Sequence, residues 1–418
     1  MKLFLVTITS LAFWANITIA GELPNLSFNT YLQEVFSSNL TYAAQKYQVS
    51  LAKAAVVAAK LRPNPSLELA YGRDITHSVQ EQMPNPASVG IVIPLELGGK
   101  RSMRTTVARH QLHASEATLE SYWNNLRADA ALAFVSALSS QEKLQMGKED
   151  RLSLEAIESF DEQEGGHPPT LGHYMATAKL IKQQQDLLVD AQIAKIALSQ
   201  FLGLDNLEIQ VELTGQLENH TRSFDSNVLI AEALSKSWDL QALRHTVDAA
   251  NSSIKLASAS RYPNVDLGLG ITHSAVSHNP IAPSPTYNSV GVSLSFPLQF
   301  FKHTKVETES ARYSYQQAQK QLEAASGKLI NVIRQFYTRY QYSLKQLQHF
   351  DPKMLQQARQ QLEQNRIKLL QKDINLDEFL SSHEELLEFI LDYLTAKADN
   401  LKNLIELERF AQIWDISL

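Results

Sequence analysis

The sequence predicts a mainly α-helical protein with a small β part, built from two similar half-units. The stretch 88–101 (SVGIVIPLELGGKR) returns about two hundred residues later as 289–303 (SVGVSLSFPLQFFKH), and Pro63-Asn64 returns as Pro263-Asn264. Such a repeat indicates a duplicated unit. Long polar segments have the residue spacing of coiled-coil helices. Four short segments alternate apolar and polar side chains, as strands with two different faces do.

The first twenty residues read as a secretory signal peptide. Lys2 precedes an apolar run that is short for a membrane span, and Thr18 and Ala20 offer small residues for cleavage. Removing Lys2 from the 38 basic residues leaves 37 against 44 acidic ones, a net charge of −7, which argues against a nucleic-acid partner. The chain has no cysteine, so we expect neither a disulfide nor a lipid anchor on cysteine.

The elements of the first half follow from helical periodicity and its breaks. Pro63 and Pro65 end the first helical stretch because proline donates no backbone hydrogen bond. After Gly98-Gly99 no strong helix breaker occurs before Gly165. The predicted elements of this half, 21–210, are helices within 27–61, strands at about 66–72 and 88–95, and a helical hairpin at about 101–203.

The second half, 211–418, repeats this order. Asp351-Pro352 interrupts its long helical stretch, either as a helix start or as a kink. The last helix has the clearest coiled-coil seam, formed by Leu376, Leu380, His383, Leu387, Ile390, Leu394, Lys397, Leu401 and Leu404. The predicted elements are helices within 226–260, strands at about 264–272 and 289–298, and a helical hairpin at about 303–412.

Each predicted strand has one apolar face and one small or polar face. The polar faces carry Glu68, Asp266, Ser293 and Ser295. Membrane barrels show the same alternation, with apolar side chains toward lipid and polar ones toward the lumen. Four strands cannot close a barrel, and lipid does not tolerate an open sheet edge. If the strands lie in a membrane, several chains must therefore share one barrel, and three chains would supply 12 strands.

The sequence resembles the TolC family of outer-membrane efflux factors over essentially the whole mature chain. The segment 94–101 (PLELGGKR) resembles the cobalt–zinc–cadmium, or heavy-metal RND, resistance branch of that family. The residues that carry the family resemblance are Arg62-Pro63-Asn64-Pro65, Tyr262-Pro263-Asn264, Val89-Gly90, Val290-Gly291, Pro94 and Pro297.

This resemblance implies a homotrimer whose 12-stranded barrel lies in the outer membrane of a Gram-negative bacterium, in contact with lipid. Long helices would extend into the periplasm and dock to a periplasmic adaptor and an inner-membrane RND-type pump. The implied function is passive export, with heavy-metal cations as cargo and drug efflux or type I protein secretion as alternatives. A soluble periplasmic coiled-coil scaffold is the competing class, but it would leave the apolar strands prone to aggregation. No enzyme motif occurs, and no cofactor is implied.

The resemblance also implies roles for the two hairpin turns, which in this family narrow the tunnel and meet the adaptor. Asp377 matches a family aspartate near the constriction, and Asp373 or Glu378 could replace a second one that is absent at Leu380. Three copies of such a carboxylate would form an acidic ring, whereas Asp373 and Asp377 could instead cap the last helix. The expected docking residues are Gly165, Gly166, Thr170, Leu171, Lys372, Ile374, Asn375 and Leu376.

Two further groups of charged or titratable residues have an ordinary explanation. His110 and His113 stand three residues apart on a helix, a spacing that allows chelation, but we expect plain surface histidines and no metal site. Lys100-Arg101 lies at a helix start, where positive charge is unfavourable. We expect a solvated charge pair there, with lipid phosphate as an alternative ligand.

Overall fold

The computed structural model describes residues 25–73, 75, 85–163, 171–203, 212–217, 222–276, 279, 281, 283–298, 303–350, 352–371, 373–374 and 376–416. The predicted signal peptide at 1–20 lies outside these residues. As predicted, the fold is mainly helical with a small β part. The helices are α1 (Phe28–Ser38), α2 (Leu40–Lys60), α3 (Lys100–Gln163), α4 (Leu171–Phe201), α5 (Ser226–Lys236), α6 (Trp238–Ala259), α7 (His303–Gln348), α8 (Pro352–Leu370) and α9 (Leu376–Ala411).

The strands form two separate sheets. The first has two short parallel strands, and the second has four antiparallel strands in the order β2-β3-β5-β6. No helix among the described residues combines the length and the apolar character needed to cross a bilayer. The strands are β1 (Asn25–Ser27), β2 (Ser66–Tyr71), β3 (Pro86–Leu95), β4 (Glu212–Thr214), β5 (Val265–Ser274) and β6 (Tyr287–Ser295).

The strand limits differ from the predicted ones at both ends of the last pair. The predicted strand 289–298 ends at Ser295, before Pro297, which has no N–H for a ladder hydrogen bond. At the other end β5 and β6 continue past the alternating residues, because His273 pairs with Asn288 through their backbones and through a 2.8 Å side-chain hydrogen bond. Backbone pairing does not depend on side-chain polarity, so the alternation pattern predicted strands that are too short at this end.

The helical stretch predicted within 27–61 is two helices, separated at Asn39. The Asn39 side chain accepts a hydrogen bond from the Tyr42 backbone N–H at 2.8 Å and donates one to the Phe201 carbonyl at 3.0 Å. Asparagine in this position satisfies a free amide at the start of α2. The second half breaks at a similar place, because Ser237 separates α5 from α6.

The described residues form two compact units that do not follow the two sequence halves. One unit contains Tyr47–Thr118 and Asp239–Ala325, and the other contains Leu119–Trp238, Ser326–Leu418 and the chain up to Lys46. Each unit therefore combines residues of both halves. The four-stranded sheet belongs to the first of these, which we call the strand unit; the other we call the helical unit.

The helical unit holds an apolar core around the middle of α3. Phe134 contacts Phe28 edge to face, with 5.4 Å between ring centroids. The Tyr31 ring also packs against Phe134, with 5.6 Å between their centroids. All three rings are fully buried. The side-chain amide of Gln141 exchanges two hydrogen bonds with the backbone of Leu213, at 3.0 and 3.1 Å, and thereby fixes β4 against α3.

The coiled-coil seam predicted for the last helix is confirmed by burial in α9. Apolar seam residues from Leu380 to Leu404 are at most 8% exposed, and His383 is 5% exposed. Lys397 is the half-buried exception. The predicted start at Pro352 is also confirmed, since α8 begins there.

Candidate functional site

The four-stranded sheet carries one continuous apolar face. Ile91 pairs with Leu67 on one side and with Leu269 on the other, and Leu269 pairs in turn with Val292. Paired residues project from the same face of a sheet. The next apolar row, two residues along, consists of Leu69, Val89, Ile271 and Val290.

These eight side chains are between 49% and 81% exposed. An antiparallel sheet in water normally packs one face on a core. Exposed apolar patches of this size mark a surface that is covered by a membrane or by another protein. The face is therefore the most prominent candidate binding surface in the described part of the strand unit.

The opposite face of the sheet collects the polar strand residues that the alternation selected. Glu68 lies opposite Gly90, Asp266 lies opposite Ser295, and the three strand pairs keep Ser293 on that same face. Glycine at position 268 leaves room for Ser293 on this face, because a Cβ on Gly268 would come within 2.2 Å of the Ser293 hydroxyl. The structure thus brings Glu68, Asp266, Ser293 and Ser295 to one side of the sheet.

The sheet has two edges that pair with no further strand among the described residues. β2 is bonded only to β3, and β6 only to β5, within that part of the chain. Every residue of β2 and of β6 is exposed. Such edges offer free N–H and C=O groups to another strand.

Arg104 organises the junction between the strands and the helices of the strand unit. Its guanidinium donates two hydrogen bonds to the Glu96 carboxylate, at 2.7 and 3.2 Å. It also donates to the carbonyls of Ala59 and Leu61, at 3.2 and 3.1 Å, and so caps the end of α2. The hydrogen bonds from Arg104 hold the pKa of Glu96 below its ordinary value, although partial burial acts in the opposite direction.

The segment that resembled the heavy-metal branch forms the rest of this junction. Gly98 has a φ of 72°, and a Cβ there would lie 2.6 Å from the Tyr262 ring, so only glycine fits. Lys100 donates a 2.8 Å hydrogen bond to Asn264. Lys100 is therefore held by the second helix-to-strand junction, rather than being simply solvated as expected. Sequence reasoning missed the Lys100 contact, because Asn264 lies 164 residues away, and it missed the capping role of Arg104, because Ala59 and Leu61 lie 45 and 43 residues away.

The turn between α8 and α9 contains the residues predicted for the constriction. The Asp373 amide donates to the Lys368 carbonyl at 2.9 Å, the six-to-one bond of a Schellman helix ending. The Asp373 and Glu378 side chains are exposed. Asp377 is the second residue of α9, and its side chain lies outside the described part. Asp373 stands three residues before α9, so by position it does not cap that helix.

A small apolar cluster supports this turn. Phe379 and Leu380 are buried and pack against Ile374, Leu369 and Leu180, which we call the turn cluster. Leu180 lies on α4, so the cluster connects the two helical hairpins. Lys179 of α4 forms an ion pair with Glu384 of α9 beside it.

Several predicted docking residues lie outside the described residues. Gly165, Gly166 and Thr170 of the first turn, and Lys372 and Asn375 of the second, belong to this group. Leu171 is the first residue of α4, and Leu376 is the first residue of α9. Ile374, another predicted docking residue, packs in the turn cluster.

Long helices combined with a small sheet whose apolar face is exposed define the class of fold. The chain belongs to the outer membrane efflux protein family, whose model matches residues 31–163 and 229–377. This family consists of transport channels rather than enzymes, and membership implies an outer-membrane location. The family predicted from the junction and strand residues is thereby confirmed.

Relatives of known name agree with this family. The chain is 24% identical over 280 residues to the cobalt-zinc-cadmium resistance protein CzcC of Cupriavidus metallidurans, a match that spans 65% of the chain and 63% of the relative. It is 24% identical over 334 residues to the outer membrane protein TolC of Vibrio cholerae, covering 75% and 73% of the two chains. The match to CzcC confirms the predicted resemblance to the heavy-metal branch.

A solved structure shows the same fold. A membrane protein from Pseudomonas aeruginosa superposes with a TM-score of 0.74 at 15% identity, over 92% of either chain.

Proposed function

We propose that three copies of this chain form a passive outer-membrane channel that exports solutes from the periplasm. The observation that carries this proposal is the exposed apolar face of a four-stranded sheet whose two edges pair with no further described strand. A bilayer would cover the face, and neighbouring copies would cover the edges. Three chains supply the 12 strands of a closed barrel, whereas four strands fall short of the roughly eight that the smallest barrels need.

In this arrangement the polar face of the sheet lines the lumen. Glu68, Asp266, Ser293 and Ser295 then contact water inside the barrel. The alternation supports this orientation, since membrane barrels direct apolar side chains to lipid and polar ones inward. The helical hairpins extend from the barrel into the periplasm.

We further propose that the hairpin turns form the periplasmic end of the channel. Asp373, Asp377 and Glu378 narrow it, and three copies of each carboxylate surround one axis. The exposure of the Asp373 and Glu378 side chains supports this role, because an exposed carboxylate can face the water of a channel. Gly165, Gly166, Thr170, Leu171, Lys372, Ile374, Asn375 and Leu376 dock a periplasmic adaptor, which connects the channel to an inner-membrane RND-type pump.

Heavy-metal cations are the cargo that we propose. The relative CzcC is a cobalt-zinc-cadmium resistance protein, and the segment 94–101 resembles that branch. An acidic ring at the constriction favours cations over anions. Drug efflux and protein secretion remain the alternatives, and export assays of a deletion strain with cadmium or with a drug distinguish them.

Reconstitution into planar bilayers tests the channel directly. The purified chain, solubilised in mild detergent, is expected to produce discrete cation-selective conductance steps, and native mass spectrometry of the same sample is expected to show three protomers. A chain that stays monomeric and dispersed without detergent, and that produces no conductance, would contradict the proposal and favour a periplasmic scaffold.

A further inference from the structure

Two histidines and an aspartate meet between α3 and α6 in the strand unit. His110 lies on α3, and His245 and Asp248 lie three residues apart on one face of α6. Each side chain offers one ligand atom, and these atoms all lie within 4.8 Å of one another. The two helices belong to different halves of the sequence, so linear spacing could not reveal the group.

The histidines of this cluster have unusual surroundings. The Nδ1 atoms of both His110 and His245 are buried and have no hydrogen-bond partner among the described residues. Buried polar atoms almost always have a partner, because leaving one without it costs stability. A cation between the rings would give a histidine lone pair the partner that the protein does not supply.

His113 does not complete the chelate that its spacing from His110 allows. Its Nδ1 lies 3.1 Å from a carboxylate oxygen of Glu116, which engages it on its own helix. Its ring lies against His245, with 5.4 Å between centroids. Both histidines of α3 thus approach His245, and His110 is the one whose ligand atom lies within 4.8 Å of those of His245 and Asp248.

We infer that His110, His245 and Asp248 bind a divalent transition-metal cation of the zinc type. Two imidazoles and one carboxylate, with water in the fourth position, form a common zinc coordination set. Tetrahedral ligands at about 2.0 Å from zinc lie about 3.3 Å from each other, so atoms at most 4.8 Å apart need to close by about 1.5 Å. Small rotations of these partly exposed side chains achieve this.

The bound cation would link α3 to α6 and stabilise the strand unit, since a ligand that binds only the folded state shifts the unfolding equilibrium. This site is distinct from the proposed constriction in the helical unit. The inference therefore does not depend on the identity of the exported cargo.

The test uses the full-length chain in detergent, freed of metal by a chelator and titrated with zinc chloride or cobalt chloride. The wild type is expected to bind one more Zn²⁺ per chain than H245Q, and to show the visible absorption of tetrahedral Co²⁺. D248N, an isosteric change at an exposed position, is expected to weaken binding at least tenfold. Zn²⁺ is expected to raise the melting temperature of the wild type more than that of either variant.

The exposed His349, far from the cluster in sequence and part of the helical unit, gives the matched control H349Q. It should behave as the wild type, which separates the cluster from general binding by the twelve histidines of the chain. Equal zinc stoichiometry, affinity and thermal shift in the wild type, H245Q and D248N would overturn the inference. Because D248N alters no buried group, a folding failure of H245Q does not remove the test.

Discussion

Ile91 lies directly opposite Leu269 where β3 pairs with β5, and the two side chains remain 51% and 49% exposed. This pair joins the strands of the first sequence half to those of the second. It lies at the centre of an apolar row that crosses all four strands. In the described part of the chain no element covers this centre, and a bilayer is the surrounding that we propose for it.

Arginine on the two faces of β6 should have opposite effects. V292R places a charge on the apolar face and is expected to cost about 2–4 kcal/mol at mid-membrane depth. S293R, the matched control one residue away, points to the polar face and should be tolerated. The measurement is the fraction of assembled, heat-resistant oligomer in outer-membrane extracts. Equal effects of the two variants would mean that the faces are wrongly assigned.

Neutralising the turn aspartates should widen the channel and weaken its cation preference. D373A and D377A each remove three negative charges from the proposed ring. Like charges that lie close around one axis repel, so a partner must hold them together in the narrow channel. In the variants that partner has no carboxylate to bind, and the constriction can open. Single-channel conductance should rise, and the reversal potential should move toward zero, relative to the wild type.

D392A is the matched control for this experiment, because Asp392 is exposed on the same helix but lies four turns further along α9. It should leave both quantities unchanged. If D373A and D377A also keep wild-type conductance and selectivity in intact oligomers, the constriction lies elsewhere.

Removal of Arg104 should destabilise the junction of the strand unit. R104A deletes a bidentate ion pair with Glu96 and two helix-capping bonds, and we expect a loss of about 2 kcal/mol, allowing for partial exposure. R104K should recover little, because lysine cannot form the same planar fork. R101A, at an exposed neighbour, should change the unfolding free energy by less than about 0.5 kcal/mol. Urea unfolding in detergent measures all three, and equal losses would contradict the assignment.

A buried carboxyl predicts a pH dependence of stability in the helical unit. Burial raises the pKa of Glu408 from 4.5 to about 8, and a hydrogen bond with Asp415 adds to this effect, while the Arg222 guanidinium opposes it. The folded chain thus keeps a proton that the unfolded chain loses near pH 4.5. The contribution of Glu408 to the unfolding free energy is complete below that pH and falls as the pH rises toward about 8.

E408Q removes this proton linkage. Its melting temperature relative to the wild type should therefore increase as the pH is raised across that window. E388Q, at an exposed position on the same helix, should show no such trend in a thermal scan. Parallel pH profiles of E408Q and the wild type would show that Glu408 is ionised throughout the window.

The parts of the fold that sequence could predict depend on local periodicity. The seam of α9 and the alternation around Val292 are readable because each follows from the geometry of one element. The break at Asn39 is not, because one of its two hydrogen bonds reaches Phe201, 162 residues away.

The same limit applies to the candidate sites. Alternation along each strand decides which face a side chain occupies, so the sequence alone could assign Glu68 and Ser293 to the polar face. The helix-capping contacts of Arg104, and the approach of His110 to His245, depend on segments far apart in the chain, and neither leaves a signal in its own helix.

The most direct test of the shared barrel uses the absence of cysteine from the chain. One cysteine is placed on each edge strand of the sheet, and adjacent paired strands lie close enough for a disulfide. The panel combines a cysteine at Ser66, Glu68 or Ala70 of β2 with one at Ser289, Gly291 or Ser293 of β6. Outer-membrane preparations are treated with an oxidant, and their proteins are then separated on a non-reducing gel. A closed ring predicts a covalent trimer for the double variants in matching register and monomers for every single variant, whereas monomers throughout the panel would contradict a barrel shared by three chains.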